Sequence, residues 1–175
     1  MGARLVFACL AAALAATPAF ALLEPQGLGA SLHAAANERA AFVLSADGVM
    51  IYQCKATLAN PDVYAWFYVA PDATLYDGSH EIARMTTPNL LESLDDGSSV
   101  SGIVRAAQSS AGALPWTLSQ AQPIGETGLF ANVSSMQRVN TRGGLAPSTG
   151  CNPDNDGAES RVAFNADYYF YRRGA

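Results

Sequence analysis

The sequence predicts an all-β protein, an antiparallel β-sandwich or barrel of the jelly-roll type, preceded by a short N-terminal helix or a disordered segment. Three observations predict it. From Gly48 onward, glycine, proline and aspartate cut the chain into short segments in which side chains alternate with the strand's period of two. Helix-forming sequence is concentrated in one alanine-rich stretch before that point. No self-similarity recurs at a spacing of roughly 20–50 residues, so a repeat architecture is not expected and a single domain is.

The elements follow in order. In "ASLHAAANERAAFVL", Ser31 can cap a helix that ends near Ala41, unless the stretch is disordered. "GVMIYQCKA" puts Met50, Tyr52 and Cys54 on one face of a strand and Val49, Ile51 and Gln53 on the other. In "VYAWFYV", Val63, Ala65, Phe67 and Val69 oppose Tyr64, Trp66 and Tyr68; both faces are apolar, which predicts a central strand. "TTPNLLESL" can form one further helical turn. "SSVSGIVRAA", "LPWTLSQA" and "GLFANVSSMQRV" continue the strand series. In "RVAFNADYYFYRR", Val162, Phe164, Ala166, Tyr168 and Phe170 share a face, as expected of a core strand.

The first residues read as an export signal. Arg4 precedes an apolar run from Leu5 to Ala16, and Ala19-Phe20-Ala21 supplies a small-x-small cleavage site. The run is shorter than the roughly 20 apolar residues a membrane span needs. The chain is therefore expected to comprise a signal peptide (1–21, cleaved after Ala21), an N-terminal helix or extension (22–47) and one β-domain (48–175). The mature protein would be secreted or periplasmic, with no membrane span.

Cleavage would leave 175 − 21 = 154 residues, enough for one core. It removes Arg4 from the ten Lys and Arg residues, and nine bases against 15 acids give a net charge of −6. Such a balance argues against nucleic acid and anionic membrane as partners, both of which select basic patches. Of the three cysteines, Cys9 falls in the signal, so Cys54 and Cys151 form an even pair in an oxidising compartment and are expected to be disulfide-bonded.

No complete catalytic motif is present. The two histidines, His33 and His80, lie in different segments without metal-ligand spacing. There is no Gly-x-Ser-x-Gly elbow, and a bonded cysteine cannot act as nucleophile. "QRVNTRGGLAPSTGC" lacks the Gly-Lys-Ser/Thr of a phosphate loop, but Arg138 and Arg142 can hold a carboxylate or sulfate, or bridge to an internal acid such as Asp167. After Cys151, "NPDNDGAE" sets Asn152, Asp154 and Asp156 at alternate positions as a calcium loop begins. Ala163 stands where an EF-hand needs glutamate, so only a looser calcium site completed by Glu159 is conceivable. Glu92, Asp95 and Asp96 are the nearest approach to a hydrolytic acid pair.

The segments "GVMIYQC", "WFYVAPDATLYD", "DGSSVSG", "LPWTL", "GLFANVSSMQRVNTRGGLAP…C" and "ADYYFY", in that order, closely resemble the DUF3455 family of exported bacterial and fungal proteins of unknown function. The resemblance runs from about Gly48 to Tyr171. A malate dehydrogenase label carried by some fungal members has no support here, because a nucleotide-binding glycine pattern and βαβ alternation are both lacking. The chain departs from the family in "EIARMTTPNLLESLDDGS": Met85 stands at the place of a histidine and Leu90 at that of a tryptophan, with Pro88 and Glu92 kept. The departure implies that a histidine-dependent activity of the family would be absent here.

Two functions of different classes follow. The first, which the missing catalytic set favours, is a non-catalytic exported β-domain that binds a small molecule, a glycan or an envelope partner. Its expected contacts are Arg138 and Arg142 together with the rings of Trp66, Tyr68 and Tyr169, beside Tyr64 and Tyr171. The second is an extracellular hydrolase using Glu92, Asp95 or Asp96 with Arg138. A calcium-stabilised structural domain is a third. No cofactor other than calcium is expected.

Overall fold

A computed structural model describes residue 22 and residues 24–174. The expected signal peptide and its cleavage after Ala21 lie outside the described residues.

Eight antiparallel strands, β1 (Glu38–Ala56), β2 (Tyr64–Asp77), β3 (His80–Thr87), β4 (Leu90–Ser93), β5 (Ser99–Ser110), β6 (Ala113–Ile124), β7 (Val133–Gly143) and β8 (Glu159–Arg173), form one closed barrel. Every strand pairs with its sequence neighbours, and β8 closes the ring on β1. Within the predicted all-β class this is the up-and-down barrel, without the crossover connections of a jelly roll. An eight-stranded barrel encloses a space that side chains fill or that holds one small ligand.

The alternating segments behave as their patterns dictate. Met50, Tyr52 and Cys54 are buried, as are Phe164, Ala166, Tyr168 and Phe170. With Leu44, Leu75, Met85, Leu91, Val100, Val133 and Met136 they make the barrel core. Phe130, expected in a strand, sits in the turn before β7 and closes one end of the core against Phe170, 5.4 Å away between ring centroids, and Phe42, 6.3 Å away.

Several expectations are corrected. The alanine-rich stretch makes only one 3₁₀ turn, Ala30–Leu32, and from Glu38 it is strand. Phe42 faces Phe170 and Leu44 faces Tyr168 across the ladder, and this pairing outweighs alanine's helical preference. "TTPNLLESL" holds the β3–β4 hairpin rather than a helical turn: Pro88 and Asn89, the latter at φ 59°, form the turn, proline presetting one central position and asparagine tolerating the left-handed one. The start of β2 is not a central strand, since β3 covers its second edge only from Ala73 to Asp77. Val63, Phe67, Tyr68 and Val69 are exposed accordingly.

Bulges decide which side chains face inward. Between Ile51 and Tyr52 the β1–β2 register shifts, leaving Val69 as the extra residue. Trp66 and Tyr68 before it therefore share the inner face with Pro71, Ala73 and Leu75 after it, although the parity differs. A second shift in β7, between Val139 and Arg142, coincides with Asn140 at φ 52°. It directs Arg138 inward and Arg142 outward.

The N-terminal segment lies over the outer face. Leu32 is fully buried, and its carbonyl accepts from the Gln137 Nε2, 2.6 Å, while the Tyr171 hydroxyl donates to Gln137 Oε1, 2.6 Å. At the opposite edge, Cys54 and Cys151 form the expected disulfide, with Cα atoms 5.3 Å apart. It ties the end of β1 to the β7–β8 loop, which also accepts from the Trp66 Nε1 at Thr149 O, 2.9 Å.

Candidate functional site

The barrel wall has a breach. β5 is paired to β4 only over Ser99–Ser101, and β2 to β3 only over Ala73–Asp77. Above the short β3–β4 hairpin, the edges of β2 at Tyr64–Asp72 and of β5 beyond Gly102 therefore face each other without a strand between them. Behind this opening is a cavity of about 110 Å³.

Its wall is built from positions on all eight strands and the β3–β4 turn. Met50, Met85, Met136, Leu91 and Val104 give it an apolar lining, and Gly102 contributes open backbone. Three of the chain's four methionines are in this wall, and thioethers on unbranched side chains adapt to varied shapes. Thr117, Ser119, Asn89 and the phenols of Tyr68 and Tyr168 supply hydrogen-bonding groups. Tyr68, about half exposed, and Val104 stand at the mouth.

Arg138 is the one charged residue lining the cavity. Its Nη2 donates to the Pro115 carbonyl, 3.0 Å, whereas its Nε is buried and has no hydrogen-bond partner among the described residues. No ion pair to Arg138 occurs among the described residues. Burial pushes the Tyr68 phenol up to about 12, reinforced by Tyr168 and Tyr52 and opposed by the Arg138 guanidinium. Tyr168 is raised by burial too, opposed by the charge of the Arg138 guanidinium and by a side-chain hydrogen bond with it. Both phenols are thus neutral at physiological pH, and the Tyr168 hydroxyl contacts Met85 Sδ at 3.8 Å.

The predicted contacts separate. Arg138 and Tyr68 meet in the cavity. Arg142 lies on the outer surface in a shallow groove with Asp47, Asn165 and Asp167. Asp167 accepts from Ser45, 3.0 Å, and Asn140, 2.8 Å, so it is not the partner of either arginine. Trp66 is held by its bond to Thr149 in a separate surface groove that includes Tyr64. Tyr169 pairs with Gln137 on the outer side of the ladder, and Tyr171 is buried under the N-terminal segment. The five rings form no common platform. Met85, standing where the family resemblance places a histidine, lines the cavity beside Tyr168.

The acidic candidates lie elsewhere. Glu92 pairs with Arg84, 3.5 Å, and Asp95 is exposed in the β4–β5 turn. Asp96 holds that turn to the β6–β7 connection, accepting from Ser98 N at 2.8 Å and Leu129 N at 2.7 Å. Hydrogen bonds from Ser98, through side chain and backbone, and from Leu129 lower its pKa from 3.8 to about 2. A carboxyl depressed on folding stabilises the fold above its unfolded pKa, and that stabilisation fades as pH falls through the folded value. Asp96→Asn is therefore expected to lower the melting temperature at pH 7 and to flatten its decline between about pH 4 and pH 2, as read by melting curves across that range. An unchanged acid profile would count against this role.

In the calcium-like loop, Asn152 spends its side-chain oxygen on Asp154 N, 2.9 Å, and Glu159 reaches Arg161, 3.5 Å. Among the described residues no group of three His, Cys, Asp or Glu side chains comes together as a metal site. His33 contacts Glu24, 3.1 Å, and His80 opens β3 at an exposed hairpin. No helix of the described residues is long and apolar enough to cross a membrane.

Sequence reasoning missed Asn89, Gly102, Thr117 and Ser119 as parts of the wall. They are small or turn residues without chemical signature, and only strand register brings them together. A family model described as a protein of unknown function, DUF3455, matches residues 34–96 and 85–172. Its two segments overlap on the β3–β4 hairpin and the turn after it. No curated protein and no solved structure matches.

Proposed function

Because the chain belongs to the DUF3455 family, whose function is unknown, its role has to be read from the barrel itself, and we propose that it is a non-catalytic domain that binds one small molecule inside the barrel. The observation that carries this is the 110 Å³ cavity behind the breach between β2 and β5. An apolar pocket with a few convergent polar groups is the usual form of a small-molecule site. A cavity of roughly 150 Å³ accepts a benzene ring, so this one takes a group of a few atoms, with the remainder of the ligand in the breach between Tyr68 and Val104.

Binding is favoured over hydrolysis by the lining. It holds no carboxylate, histidine or thiol to act as base or nucleophile, and Glu92, Asp95 and Asp96 serve an ion pair and a turn instead. A glycan platform is not supported by rings that point to opposite sides of the wall. The disulfide is consistent with action in an oxidising, extracytoplasmic compartment.

The methionines supply the test. In protein labelled with ¹³C at the methionine methyls, benzyl alcohol is expected to shift the signals of Met50, Met85 and Met136. Val104→Trp, at the exposed mouth, is expected to suppress those shifts while leaving the melting temperature nearly unchanged. Methyl signals that ignore the alcohol up to its solubility limit would overturn the reading.

A further inference from the structure

We propose that the ligand is a small organic monocarboxylate, bound with its carboxylate on Arg138 and its apolar part against the methionines and Tyr68. The inference rests on the small-molecule reading above and adds the chemical class.

The cavity carries an unbalanced charge. A half-buried guanidinium lines the cavity with no acid beside it, and its Nε is buried without a partner among the described residues. Buried N–H groups left unpaired are costly, and buried charges are ordinarily compensated. The planar guanidinium fork matches a carboxylate better than any other common organic anion, and charge-assisted bonds of this kind are the strong ones. Thr117 and Ser119 line the same space and offer further donors to an anion.

One cation sets the count at one carboxylate. The rest of the lining, three thioethers with Leu91, Val104 and the ring of Tyr68, matches an apolar body. A soft metal ion such as copper(I) would suit the thioethers alone, but the guanidinium among them repels a cation.

Topology supplies the direction of entry. In a closed ring of eight sequential strands, β7 lies across from β3. Arg138 on β7 therefore faces the side of the barrel where the wall above β3 and β4 is open. A carboxylate entering head first reaches the guanidinium at the far wall, and its tail remains between Tyr68 and Val104.

Benzoate and benzamide, alike in shape and different in charge, test this by titration against the labelled methionine methyls. Benzoate is expected to bind the unaltered protein at least about tenfold more tightly than benzamide, the lower end of what one charge-assisted pair supplies. Arg138→Gln is expected to remove that preference by weakening benzoate binding far more than benzamide binding. Arg138→Met, close in length and uncharged, makes the same comparison should the glutamine variant not fold. Equal binding of the two probes by the unaltered protein, or a benzoate preference that survives both substitutions, overturns the carboxylate assignment and leaves the cavity reading standing. Failure of both probes to move any methionine methyl overturns the cavity reading itself.

Discussion

Replacing Cys54 and Cys151 together by serine is expected to lower the unfolding free energy by up to about 4–5 kcal/mol. The two residues are 97 apart in sequence, and a cross-link that closes so long a loop removes much of the unfolded chain's freedom. The bond also anchors folded structure. Cys54 N donates to Ala158 O and Gly157 N to Cys54 O, both at 2.9 Å, so the β7–β8 loop lies along the end of β1. Guanidinium unfolding of the oxidised protein and the double-serine variant checks it. A loss below about 1 kcal/mol, far under the loop-entropy figure, would show that these hydrogen bonds, and not the cross-link, close the end of the barrel.

Phe170→Ala is expected to cost about 3–5 kcal/mol, the range for truncating a buried aromatic. Phe170 is fully buried, stacked on Phe42 at 4.5 Å between centroids and tilted against Phe130 at 5.4 Å. Its removal withdraws a large apolar surface from the core and leaves a void between two rings from separate parts of the chain, β1 and the turn before β7. Neither can move in without breaking its strand or turn, so the space stays open. The check is the urea midpoint at unchanged slope. A cost under about 1.5 kcal/mol would mean that Phe130 swings in to fill the gap.

These two effects rest on features of different legibility. The disulfide was expected from counting: with Cys9 assigned to the expected export signal, Cys54 and Cys151 remain as an even pair. The inward face of β8 is equally plain, because Val162, Phe164, Ala166, Tyr168 and Phe170 keep strict alternation over an uninterrupted strand. The place of Phe130 is not, since its residue pattern reads as the start of β7 and only the positive φ of Asn132, 63°, ends the turn there.

The candidate site was half legible. Arg138 and Tyr68 drew attention as residue types suited to an anion and an apolar ligand. Arg142, Trp66 and Tyr169 drew the same attention for the same reasons and lie elsewhere. The bulge at Val69 in β2 keeps Tyr68 on the inner side with Ala73 and Leu75, and the one at Asn140 in β7 turns Arg142 outward, because an extra residue reverses which side of the wall every later side chain faces. Tyr169 faces outward by plain alternation along β8, and Trp66, inward like Tyr68, is tied to Thr149 in its own groove. Asn140 carries a weak local sign, as asparagine tolerates the left-handed backbone. Val69 carries none: a β-branched valine fits any strand position.

Composition, alternation and cysteine count by themselves determined the antiparallel all-β class and the long-range disulfide. They are enough because strand period, turn residues and thiol chemistry are local properties written residue by residue. The closed ring, the gap above the β3–β4 hairpin and the lone guanidinium behind it were decided only by the tertiary structure. Each depends on register and strand length compared between segments far apart in sequence, where one bulge or one short strand changes which side chains meet.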